Sequence, residues 1–151
     1  MKQANIDDAF KKRADDRAAK GDAKSRVMGY VKGRLNDKAF EYAAVDLFSV
    51  QNSWYMSFSN SGPGIINVFI KIPEEAFNTN EFKLNNPRDL LRFITAEKLW
   101  DLSQGKMIDL KKDDDNKVTG KFDATVFTGV GDDQELVPVV GEISIFTPKQ
   151  K

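Results

Sequence analysis

Histidine and cysteine are both absent from this chain of 151 residues. Imidazole is the only side chain whose unperturbed pKa lies near neutrality, and thiolate is the strongest protein nucleophile and a soft metal ligand. Without them the chain can hold no Ser-His-Asp triad, Cys-His dyad, Cys/His zinc site or His-ligated haem. No disulfide can staple the fold, which leaves reducing and oxidising compartments both open. Long apolar runs are missing too: none approaches the roughly 18 residues of a membrane-spanning helix. The first twenty residues are polar and charged, unlike a secretory signal peptide. As written, the chain reads as soluble and cytoplasmic, and a secreted or envelope location stays open if a signal has been removed.

What is present suits one globular domain with a single core. Eleven Phe, three Tyr and two Trp supply large apolar pieces for it. Net charge is zero but unevenly placed: residues 1–38 carry an excess of five positive charges, and the rest an equal negative excess. A basic leader can favour anionic partners. Here acids and bases alternate, and only Phe10 and Tyr30 offer stacking rings, so nucleic acid is not an expected partner.

Two parts are expected. Residues 1–26 form a charged leader, helical or partly disordered. Asn5 is a candidate cap, and Asp7 with Lys11, Asp8 with Lys12 and Asp16 with Lys20 are favourable pairs one turn apart. The stripe of Ile6, Phe10, Ala14 and Ala18 gives a peripheral N-terminal helix near residues 6–20, and Gly21 ends it. Residues 27–151 form a single antiparallel β domain. Val27 to Leu35, Phe40 to Val50, Trp54 to Ser59, Ile66 to Ile72, Lys106 to Leu110, Val118 to Phe127 and Val137 to Ile145 show strand patterning. Asn36-Asp37, Gln51-Asn52-Ser53 and Asn60 to Gly64 are turn signals. The Ala43-Ala44 pair marks a shift of face. One or two short helices are expected, at Pro73-Glu74-Glu75 and from Pro87 through Leu90, Leu91 and Phe93. Phe93 to Trp100 then returns to strand, and the tail from Thr147 is frayed. The pattern is mainly β: an antiparallel barrel or sandwich.

Gly105 to Leu110, the acidic turn Asp113-Asp114-Asp115-Asn116, Val118-Thr119-Gly120-Lys121-Phe122 and the closing strand Val137 to Ile145 follow one another in a distinctive order. This resembles small bacterial lipocalin-like (calycin-type) domains of unknown function. The resemblance implies a cup-shaped barrel and a secreted or envelope protein.

Chemistry-bearing motifs are sparse. The acidic turn lacks the third ligand place and the Gly of an EF-hand, where Lys117 and Val118 stand, so it reads as a solvated hairpin turn and no metal site is expected. Thr128-Gly129-Val130-Gly131 and Thr119-Gly120-Lys121 complete no phosphate-loop motif, and no cofactor is expected. Glu142, in an apolar strand, reads as solvent-facing or salt-bridged. A carboxylate-based hydrolase needs two acids across a cleft, and the sequence singles out no pair. The aromatics Tyr42, Trp54, Phe58 and Trp100 are the candidate ligand-binding residues, either lining an apolar cup or filling the core. The expected function is a non-enzymatic binding module holding a small apolar or amphipathic ligand. The alternative is a protein–protein interaction or structural module with a filled core.

Overall fold

The computed structural model describes residues 27–60, 67–84, 89–95, 98–129 and 131–148. Nine strands account for most of them: β1 (Met28–Leu35), β2 (Lys38–Val50), β3 (Ser53–Ser59), β4 (Val68–Pro73), β5 (Thr79–Lys83), β6 (Leu90–Ile94), β7 (Leu99–Lys112), β8 (Val118–Thr128) and β9 (Glu135–Phe146). Single turns of 3-10 helix lie at Glu74–Ala76 and Gly131–Asp133. The first fulfils the expectation of a helical turn after Pro73. The N-terminal helix and leader lie outside the described residues, as do Ile66 and Pro87.

Local chemistry sets the hairpins. Asn36 and Asp37 have φ of 49° and 68°, and Gln51 and Asn52 have 50° and 66°. Positive φ at both central residues makes two-residue turns whose twist matches the flanking strands. Leu35 therefore faces Lys38, and Val50 faces Ser53. An extra residue bulges β2 between Ala44 and Asp46, one step past the face shift read from Ala43-Ala44.

Each strand runs antiparallel to its neighbours in the order β1-β2-β3-β4-β6-β7-β8-β9, and β9 returns to β1. The seam runs from Met28 opposite Phe146 to Leu35 opposite Val139, and it makes the sheet a closed barrel of eight wall positions rather than a sandwich. β5 and β6 share one edge of the long β7: Phe82 faces Met107, and Phe93 faces Trp100. They act as one interrupted wall strand.

Two sequence expectations fail between residues 87 and 100. Leu90, Leu91 and Phe93 are in strand β6 rather than a helix, with Phe93 opposite Val68 on one side and Trp100 on the other. The Leu-Leu-Arg-Phe-Ile run is buried or half-buried on both faces, so it lacks the polar alternation that marks a strand. Phe93 to Trp100 is not continuous strand either. A turn closed by the Thr95 N–H donating to the Lys98 carbonyl (2.9 Å) divides it.

Inward side chains alternate along every wall strand and form one core that includes Val31, Met56, Phe58, Ile70, Leu91, Phe93, Met107, Phe122, Val139 and Ile145. Gly33 and Gly141 face one another across the seam. A side chain at Gly141 would meet the Phe122 ring and the Lys32 carbonyl, so Phe122 occupies the room that glycine leaves.

Candidate functional site

All four sequence-selected aromatics point to the barrel interior, but at different depths. Phe58 on β3 has no exposed surface and sits mid-core opposite Ala44 and Val68. Trp100 on β7 is buried beside Phe93, with the Lys98 ammonium 5.4 Å from its ring centre. Tyr42 on β2 is half-buried and stacks on Phe40 at 5.8 Å, and burial pushes its phenol pKa up. Trp54 on β3 is half-buried near the opposite rim, edge-on to Phe77 at 5.9 Å. Tyr42 and Trp54 thus pack against Phe40 and Phe77 rather than against each other. Phe40 continues to Phe93 (5.3 Å) and Phe93 to Phe122 (6.2 Å), a chain of rings through the interior.

Between the rims the interior is filled. Val31, Met56, Phe58, Val68, Ile72, Leu91, Met107, Leu110, Val118, Val126, Val139 and Ile145 all have zero relative exposure. A side chain with no accessible surface borders no void wide enough for water. Eight-stranded barrels are narrow enough for side chains to close them in this way.

The Trp54 rim is plugged from below. The chain leaves β4 into the Glu74–Ala76 turn, anchored by the Glu74 N–H on the Asn52 carbonyl (2.8 Å) and the Asn78 N–H on the Leu110 carbonyl (2.7 Å). The turn carries Ala76 and Phe77 against the core and sets the Glu74 carboxylate where the Trp54 indole N–H and the Lys112 ammonium both donate to it. Lys112 also lies 4.5 Å from the Trp54 ring centre and 5.1 Å from that of Phe77. Its hydrogen bond, helped by that of Trp54, holds the Glu74 carboxyl below its usual pKa despite an opposing push from burial.

The outer wall has two characters. Around β1, β8 and β9 it is exposed and charged: Lys32 lies 3.6 Å from Glu142, which faces solvent in an ion pair as its alternation implied. An open groove of about 700 Å³ there is lined by Lys32, Arg34, Phe40, Glu41, Lys121 and Glu142. A second, about 510 Å³, crosses β5, β7 and β8 beside Glu81, Lys83, Lys106 and Asp123. Around β3, β4 and β6 the outward side chains are buried or half-buried. Tyr55 and Phe69 form a second apolar cluster with Phe48, Leu90 and Ile94 against it. Next to it the Arg92 guanidinium donates from Nε to Asp101 Oδ1 (2.7 Å) and from Nη2 to Oδ2 (3.1 Å).

The acidic turn is a hairpin turn. Asp113 Oδ1 accepts the N–H groups of Asp115 and Lys117, each at 2.9 Å, and Asn116 takes φ of 59°. Among the described residues no group of three or more carboxylates is placed to hold a metal ion. The candidate site residues read from the sequence do not include Phe40, Phe77, Glu74, Lys112 or the Arg92–Asp101 pair. For the last a signal existed: each charge stands alone in an apolar stretch, Leu-Leu-Arg-Phe-Ile and Leu-Trp-Asp-Leu.

Comparison of the chain with protein-family models, with curated proteins and with solved structures finds no match in any of the three.

Proposed function

We propose that this protein is a non-enzymatic interaction module, a solid barrel that presents its outer wall to a protein partner and holds no small molecule within. The zero exposure of the twelve interior side chains named above, Val31, Met56 and Phe58 among them, carries this reading. A ligand inside the barrel would have to displace Phe58 or Phe122, each a fully buried ring. An exposed apolar stripe on β9, Leu136 and Val140 at 51% and 45% exposure with Pro138 between them, gives a partner a non-polar foothold. The rest of that wall carries Lys32, Lys121, Asp123 and Glu142, not the apolar band of a membrane-spanning barrel.

The container reading draws on the half-buried Phe40 and Tyr42 and on the cup-shaped barrel that the lipocalin-like resemblance implies. The packed interior weighs against it. Titrating the intrinsic tryptophan fluorescence with palmitate and with an anilinonaphthalene dye separates the two. The solid barrel shows no saturable change up to about 100 μM ligand, well above a micromolar Kd. A saturable one-to-one response, lost in Tyr42→Ala or Phe58→Ala variants that still fold, would establish a container instead.

A further inference from the structure

Six outward side chains form a continuous belt across six neighbouring strands: Asp46 faces Ser57, Ser57 faces Phe69, Phe69 faces Arg92, Arg92 grips Asp101, and Asp101 faces Phe127. All six have 7% exposure or less. Outward positions on the opposite wall, Lys32, Lys121, Asp123 and Val140, are exposed. A bare barrel wall exposes its outward residues, so this belt is covered. Every described element is a wall strand or a single turn, and none lies across it.

We propose that residues 1–26 of this same chain are the cover, laid across the outside of β2, β3, β4, β6, β7 and β8. Among the segments outside the described residues, this alone is long enough to span the belt. It enters at the right place. Tyr30 on β1 faces Ala43, so counting back three residues brings Val27 level with Asp46, one strand from the belt's near end. A helix over residues 6–20 is about 22 Å long at 1.5 Å per residue. Six strands about 4.8 Å apart span about 24 Å, within reach of that helix together with the residues that join it to β1. Its apolar stripe, Ile6, Phe10, Ala14 and Ala18, matches the apolar part of the wall formed by Phe48, Tyr55, Phe69, Leu90 and Ile94. Charge is complementary as well: residues 1–26 hold eight Lys/Arg against five Asp, and the covered wall carries Asp46, Asp89 and Asp101 against Lys71 and Arg92. This inference does not depend on the proposed function.

A chain without cysteine makes the test direct. Ser57→Cys places the sole thiol in the belt, and Asp123→Cys places one on the exposed wall as control. In the full chain the Ser57→Cys thiol reacts with a maleimide about a hundredfold more slowly than the control, because a covered site reacts only through local opening. Deleting residues 1–26, or introducing Phe10→Asp in the full chain, brings it to the control rate. A synthetic peptide of residues 1–26 slows it again in the truncated protein. Control-rate labelling in the folded full chain overturns the proposal, and so does protection that persists in a truncated protein with an unchanged β-sheet spectrum. Where truncation prevents folding, the Phe10→Asp variant decides alone, and undiminished protection there overturns the proposal.

Discussion

Arg92 and Asp101 are taken out of water on the outer wall, with side-chain exposures of 3% and 5%. Their two-pronged geometry satisfies both charged groups, and charge-assisted bonds of this kind are the strong ones. Desolvation offsets most of that gain, so removing one partner costs far more than removing both. Asp101→Leu and Arg92→Met are each expected to lower unfolding free energy by about 3–5 kcal/mol, and Arg92→Met/Asp101→Leu to recover most of the loss. A double-mutant cycle from urea denaturation measures the coupling. Additive losses would show that the pair is not linked.

Glu74 gives the pH counterpart. Its folded pKa lies below the unfolded one, so its contribution is present above the ordinary carboxylate range and is lost as pH falls through the folded value. Its side chain is about half-exposed, and screening keeps the contribution to about 0.5 kcal/mol. The stability gap between the native chain and Glu74→Gln should close as pH drops from about 5 to about 3. Tyr42 titrates in the other direction. Burial raises its folded pKa, so the stability tied to its neutral phenol is intact below pH 10 and is lost as pH rises further, a loss that Tyr42→Phe removes.

Strands were legible in proportion to how one-sided their burial is. On β9, inward Val137, Val139, Ile143 and Ile145 alternate with exposed or half-buried neighbours, and the sequence shows this directly. On β6 the outer face is covered as well, which erases the alternation and invites a helical reading. The aromatic candidates were legible as inward residues, because period-two spacing fixes the face. Their depth was not, because it depends on register with strands remote in sequence. The Gly33–Gly141 pairing belongs to this hidden register. A methyl group at Gly141 would lie 2.5 Å from the Phe122 ring and 2.6 Å from the Lys32 carbonyl oxygen. Gly141→Ala should therefore destabilise by about 1–3 kcal/mol, the usual range for overpacking. Adding Phe122→Leu relieves the ring overlap but leaves the carbonyl overlap, so the rescue is incomplete. Urea midpoints of the two variants check this, and full rescue would place all the strain in the ring.

Closure of the barrel is the step that the local hairpins do not provide. β1–β2, β2–β3, β7–β8 and β8–β9 each join strands close in sequence, whereas the β1–β9 seam pairs Met28 with Phe146 at opposite ends of the described chain. Loop-closure entropy delays contacts between distant residues until the rest can reward them. The seam should therefore form after the folding transition state, while the β3–β4 and β8–β9 hairpins are present within it. Ile143 faces Val31 across the seam and is buried, and Ile143→Ala removes about 2–5 kcal/mol. In stopped-flow chevrons this loss should fall mainly on the unfolding rate and leave folding nearly unchanged. Ile70→Ala, at the centre of the β3–β4 pairing, should slow folding by a larger share of its own loss. A strong slowing of folding by Ile143→Ala would mean that the barrel closes before its hairpins consolidate. The seam would then be the nucleus of the fold rather than its last join.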